Sequence, residues 1–276
     1  MSEAIGVCLR NPSSHTELRM KIIVSVKQVP ARDSALRVRP DGKWLEESDL
    51  SWEMNEPDAY ALEEALQLRE KLGGEVVVVS LGREQGAQTI REALAKGADR
   101  AIHIQTGDDG AVLDPFSAGR LIAKAIQKES PDLILTGLQS DDLGYGQTGV
   151  ILAELLSMAH ATIVMEVEPQ DGKVKVKREL EDGWFQNVTL PLPAVLTIQS
   201  GIKKLRYATL MGIKKAKTKP VETLSATDLG GGGEASTIIE QVYAPQRAKQ
   251  TQTLSGDPKQ VARELAQKLR SEVRVL

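Results

Sequence analysis

Cysteine is almost missing from this sequence: Cys8 stands alone among 276 residues. An internal disulfide and a zinc cage built on thiolates are both excluded, and a reducing compartment fits. Aromatic residues make up 3%, too few for a stacking platform that piles up bases of single-stranded nucleic acid. Positive excess is missing too. The net charge is −3, whereas a chain that grips phosphate backbones carries a cationic surplus, so nucleic acid is not an expected partner. No apolar run approaches the roughly 20 residues that cross a bilayer, and no membrane insertion is expected. His15, His103 and His160 stand far apart without metal-ligand spacing. No G-x-x-x-x-G-K loop is present, and no nucleophile and base gather beside a histidine.

What is present is a chain, 41% hydrophobic, long enough for one large α/β domain with an appendage. Residues 1–19 are polar and lack the apolar stretch of a secretory signal. They read as a leader, a weak organellar presequence or an extension before a start at Met20. From there, KIIVSVKQV (21–29) reads as a buried strand and Pro57–Leu72 as a helix, with apolar residues at three-to-four spacing and Gly73-Gly74 as its stop. EVVVVSLG (75–82) is a second strand and Gln85–Lys96 a second helix. The alternation continues through a strand at Arg100–Ile104, a helix at Pro115–Ser130, a strand at Leu133–Thr136 and a helix at Gly149–Ser157. The expected fold is a mostly parallel sheet with helices on both faces, a Rossmann-like layout of the adenine-nucleotide-binding type, with ligands at the carboxyl ends of strands.

From Ala161 the texture changes. KVKVKREL and VTLPLPAVLTIQ have period two and are joined through Asp182-Gly183, which predicts antiparallel strands added to the parallel sheet. The chain then turns basic at Lys214, Lys215, Lys217 and Lys219 and loses periodicity through Gly230–Gly233. The expected division is a leader over 1–19, a nucleotide-binding domain over 20–220 and, over 221–276, a flexible arm. That arm carries a C-terminal helix with Val261, Leu265 and Leu269 on one narrow face, which needs a surface to dock on.

The segment GLQSDDLGYGQTGVILAELL (137–156) leaves a strand, passes a glycine-bearing loop and enters a helix. Glycines let a backbone approach an anion, and the first N–H groups of a helix point at it. The same composition also suits a structural loop with a cap at Thr148.

VKRELEDGWFQNVTLPLPAVLT (176–197) resembles the signature segment of electron transfer flavoprotein β subunits, with Arg178, Glu181, Asp182, Gly183, Gln186, Val188 and Pro193 at the matching intervals. IVSVKQVP, MNEPDAYALEEAL, TIREALAKGADRAIHI and RYATLMGIKKAKTK are similar in matching order, so that the resemblance runs from Met20 to Leu229. It implies an electron carrier rather than an enzyme. A heterodimer would hold one redox-active FAD chiefly in the α subunit, with a structural AMP in this chain. Carried over, the AMP site comprises Ser25, Asn55, Glu56, Pro57, Asp58, Leu81, Gly82, Gly137, Leu138, Gln139, Ser140, Asp141, Asp142, Leu143, Gly144, Tyr145, Gly146, Gln147 and Thr148. Gly146 stands where family members that bind AMP often have asparagine. Relatives with a second FAD here, which split electron pairs between two acceptors, commonly read Gly-Asp-Thr-Ala-Gln-Val-Gly, and Gln147-Thr148-Gly149 favours AMP.

Arg206, Tyr207, Ala208, Thr209 and Leu210 match the loop that grips acyl-CoA dehydrogenases, with Leu210 as anchor; inward packing of Leu210 is the alternative. Arg178 and Glu179 match a charged pair near the flavin and the α subunit, where an arginine stabilises a negatively charged ring; a structural ion pair on a strand is the alternative. The implied acceptor is a quinone reductase or another electron carrier, and the implied location the cytoplasm, or the mitochondrial matrix in a eukaryote. Other readings are a nucleotide-cleaving hydrolase, with Asp141 and Asp142 on Mg²⁺, and a regulatory nucleotide-binding module.

Overall fold

The computed structural model describes residues 19–107, 112–245 and 251–275; Cys8, His15 and all of the expected leader except Arg19 lie outside them. Of the described residues, those up to 37 together with those between 46 and 240 form one compact unit, and 38–45 with those beyond 240 form another.

The larger unit runs through β1 (Met20–Ser25), β2 (Gln28–Pro30), β3 (Trp52–Met54), α1 (Glu56–Leu72), β4 (Gly74–Gly82), α2 (Ala87–Lys96), β5 (Arg100–Gln105), α3 (Pro115–Ile126), β6 (Leu133–Gly137) and α4 (Thr148–Leu155). It continues with β7 (Ala159–Gln170), β8 (Lys173–Glu179), β9 (Phe185–Pro191), β10 (Ala194–Ile198), α5 (Leu210–Ala216) and β11 (Val221–Ser225). Nine strands form a sheet in the order β11-β5-β4-β1-β6-β10-β7-β8-β9, and β2 and β3 pair separately. Pairing is parallel from β11 across to β7 and antiparallel for β7, β8 and β9.

Alternation along the strands decides the two faces. Ile22, Val24, Val76 and Val78 pack with Leu62, Leu66 and Leu94 of α1 and α2. Ile23, Val77 and Val79 pack with Ile122, Ile126 and Leu152 of α3 and α4. All of these strand residues are fully buried, each stabilising the fold by about 1.5–3 kcal/mol relative to exposure.

The expected α/β fold is present, with three differences in detail. The first strand ends at Ser25 rather than Val29, because the Lys27 N–H turns aside to the Asp58 carboxylate at 2.8 Å. Within VTLPLPAVLTIQ, the half Ala194–Ile198 is not an antiparallel addition: β10 is wholly buried and parallel to β6 and β7 in the middle of the sheet. A near-continuous apolar run, broken only by Thr197, rather than alternation, is its mark. Finally, Val221–Ser225 forms β11, a parallel edge strand on β5, within the stretch expected to be an arm. Its first three residues, Val221, Glu222 and Thr223, are exposed and none of the five is buried, which hides the pattern.

In the second unit, Val38 and Leu45 form an antiparallel bridge, and the Val242 N–H donates to the Gly42 carbonyl at 2.7 Å. α6 (Pro258–Lys268) is capped by the Asp257 side chain and buries no residue.

Candidate functional site

The chain leaves β1 toward β4 on one side, and leaves β6 toward β10 on the other. A crevice therefore opens beyond the carboxyl ends of β1 and β6, the place where such sheets take ligands. Ser25 ends β1, and Leu81 and Gly82 end β4 beside it. Gly137 ends β6 and leads into the 138–147 loop.

The start of α1 locks this crevice. Asp58 is buried and accepts from the Lys27 N–H at 2.8 Å with one oxygen and from the Gly137 N–H at 2.9 Å with the other. Burial pushes its carboxyl up to about 7, even though both N–H bonds and the Lys27 charge act to lower it. Asn55 is the cap residue of α1, yet its side chain makes no capping bond. It accepts from the Asp141 N–H at 2.9 Å and donates to the Gln139 carbonyl at 3.0 Å instead. A residue type favoured for capping thus braces the loop. Gly137 has no room for a side chain, since a Cβ there would lie 2.4 Å from the Asp58 carboxylate and 2.7 Å from Pro57.

The loop is closed by charge. Lys27 reaches Asp142 at 2.7 Å and Ser140 at 3.4 Å. Arg32 pairs with Glu56 and, at 3.3 Å, with Asp141. Burial acts to raise the Asp142 carboxyl, but the Lys27 ammonium together with bonds from Ser140 and the Leu143 N–H outweighs it and holds the group below the usual range. Lys27 and Arg32 escape sequence reasoning; Lys27, one residue beyond Val26 at the strand end, is the one with a positional signal.

Gly144 and Gly146 both sit at φ 64°, a left-handed conformation that glycine adopts without strain. They turn the chain into α4. Gln147 caps that helix without a side-chain bond, and Thr148 is its first residue rather than its cap. The first N–H groups of a helix have no partner inside it, and here no side chain of the cap takes one. A Cβ at Gly82 would meet nothing within 4 Å, leaving open space at the end of β4. Backbone donors, an open helix start and space beside β4 are a donor set that fits the phosphate and base of a nucleotide. Both nearby cations are already held by carboxylates, so the anion would rest on main-chain N–H groups.

The other predicted residues lie elsewhere. Arg178 donates to the Thr162 carbonyl at 2.8 Å, its hydroxyl at 2.9 Å and Gln186 at 3.1 Å, bracing β7 beside Ile163 at φ 58°. Glu179 accepts from Gln199 at 3.1 Å, so the two do not pair with each other. At the tip of the same hairpin Trp184 is 72% exposed, with Leu180 and Phe185 also exposed, an apolar group that the sequence reading does not single out. Leu210 is 80% exposed and Tyr207 91%. Thr209 caps α5, accepting from the Gly212 N–H at 3.0 Å, and Ala208 is half-buried. Arg206 turns inward instead, onto Glu63 and Glu70 of α1.

The model of the electron transfer flavoprotein domain family matches residues 43–229. The electron transfer flavoprotein subunit beta of Methylophilus methylotrophus is 40% identical over 243 residues, covering 84% of this chain and 91% of that protein. That of Bradyrhizobium diazoefficiens is 37% identical over 260 residues, 93% of this chain and 100% of the relative. The protein of the same name from Sus scrofa is 37% identical over 258 residues, 93% and 99%.

Proposed function

Because the chain belongs to the electron transfer flavoprotein β-subunit family, and is thereby an electron-transfer protein, we propose that it pairs with an α subunit holding FAD and carries a structural AMP. The single observation that carries the AMP reading is the crevice beyond β1 and β6. There Asp58 and Asn55 fix the 137–141 backbone, and α4 begins without a side-chain cap. The N–H groups of residues 148–150 hold the phosphate, and the glycines at 144 and 146 bring the loop close to it. FAD held by the α subunit would supply the redox chemistry, electron uptake from a dehydrogenase and delivery to an acceptor such as a quinone reductase.

This chain's own residues exclude water, orient and recognise. The hairpin of β8 and β9 offers Trp184 and Phe185 as an apolar surface for the α subunit, and Arg178 keeps that hairpin in register with β7. Leu210 and Tyr207 fill an apolar pocket of an acyl-CoA dehydrogenase, while Lys214, Lys215 and Lys217 steer an acidic partner surface. Among the described residues no helix is long and apolar enough to cross a membrane. We place the protein in the cytoplasm of a prokaryote or the matrix of a mitochondrion.

The test is co-expression with an α-like partner, followed by acid release and chromatography of the bound nucleotides and a visible spectrum. One FAD and one AMP per heterodimer is the expected result. Two FAD would replace AMP with a second flavin and make the complex one that splits electron pairs. A colourless chain that hydrolyses ATP would overturn the reading.

A further inference from the structure

We propose that Arg206 is a positioning residue: clamped by Glu63 and Glu70 of α1, it sets the direction in which Tyr207 and Leu210 are presented to an electron-donating partner. The inference rests on the reading of 206–210 as a partner surface.

The geometry is a fork on two carboxylates. The Arg206 Nε and Nη2 donate to Glu63 at 2.8 and 3.0 Å, and Nη1 and Nη2 donate to Glu70 at 2.6 and 3.2 Å. Its main-chain N–H also donates to Glu63 at 3.2 Å. Glu63 and Glu70 stand seven residues apart, two turns along one face of α1, and Gln67 between them holds Glu63 at 2.7 Å. Glu63 is 4% exposed, so its charge depends on this fork. The residues before and after are held as well. Lys203 lies 3.6 Å from buried Glu64, and a Cβ at Gly212 would lie 2.2 Å from the Ala95 carbonyl of α2. The five residues between Arg206 and Gly212 carry the two most exposed apolar side chains of the segment, Tyr207 and Leu210.

A guanidinium with its donors engaged this way offers nothing to a partner directly. What it offers is a preorganised loop, which lowers the ordering cost of docking. An ammonium is a point charge without the planar fork, and Lys in its place keeps the charge while losing the geometry. α1 also carries Asn55 and Asp58 at its start, so the loop is referenced to the helix that braces the crevice.

The test uses the FAD-loaded heterodimer, with an acyl-CoA dehydrogenase as reductant, and compares Arg206→Lys, Glu70→Ala and Leu210→Ala. Both clamp variants are expected to raise KM for the heterodimer about three- to tenfold with kcat within about twofold, a split that marks lost recognition. Amide hydrogen exchange over 204–210 in the absence of partner is expected to be faster in both. Unchanged exchange overturns the clamp. Unchanged KM in the clamp variants beside a raised KM in Leu210→Ala overturns its role in presentation and leaves the partner surface standing. Unchanged KM in all three variants overturns the partner-surface reading, and this use of the clamp with it.

Discussion

The helix α1 buries carboxylates in two regions, and it treats them in opposite ways. At its start, Asp58 is surrounded by neutral main-chain donors, and burial lifts it to about 7. Five residues on, burial acts to raise the Glu63 carboxyl too, but the hydrogen bonds from Arg206 and Gln67, with the Arg206 charge, outweigh it and bring the group below the usual range. The difference is the partner: amides orient a carboxylate without neutralising its charge, whereas a guanidinium does both. The first arrangement fixes backbone at the crevice beyond β1 and β6. The second fastens a loop 143 residues away in sequence to the same helix.

The largest effect is expected where the Asp58 arrangement is tightest. Gly137→Ala drives a methyl group into the carboxylate at 2.4 Å and the Asp58 nitrogen at 2.8 Å, with a loss of about 2–3 kcal/mol from overpacking. Gly82→Ala, whose new methyl meets nothing within 4 Å, is the control and is expected to stay within about 0.5 kcal/mol. Urea midpoints measure both.

Next comes Asp58→Asn. An amide offers one acceptor where two N–H groups need two, and it turns its own NH₂ toward a donor, so a loss of about 1–3 kcal/mol is expected. The pH dependence carries the sign. Asp58 binds its proton more tightly in the folded chain than an ordinary aspartate of about 3.9, so its contribution falls as pH rises from about 4 to about 7 and is level above that. Asp58→Asn removes this slope. Glu63→Gln tests the other region, with an expected loss of about 1–2 kcal/mol from weakened charge-assisted bonds. The lowered Glu63 carboxyl stabilises the fold above its unfolded range and loses that stability as pH falls below about 4. Denaturation across pH 3–8 separates the two, because the slopes have opposite signs.

Much of this division was legible in the sequence, and the reason is local. The apolar runs at 75–82 and 133–136 and the helical spacing over 57–72 are short-range patterns, and they recur as β4, β6 and α1. The crevice was legible through its strand ends and glycines, since a loop such as LGYGQTG combines turn chemistry with a helix start. β10 was misread because a central parallel strand and a half-buried antiparallel one differ only in whether alternation persists over five residues. The ion pairs of Lys27 and Arg32 and the carboxylate partners of Arg206 were not legible, whatever signal Lys27 has from its place after the strand. Ion pairs across 109 or 136 residues leave no periodic trace, and the charges that form them look like any solvated face.

The smallest effect on stability should come from the residue whose effect on function is proposed to be the largest. Leu210 is 80% exposed, so truncating it removes little buried area, and Leu210→Ala is expected to change the urea midpoint by no more than about 0.5 kcal/mol. Glu63→Gln acts in the opposite sense, lowering stability while leaving the Leu210 side chain intact. If the two regions differ as their contacts imply, electron uptake from the dehydrogenase falls in Leu210→Ala at unchanged stability and unchanged flavin content. A fall in stability equal to that of Glu63→Gln would mean that Leu210 packs against the fold, and the contrast between a buried fastening and an exposed anchor would collapse.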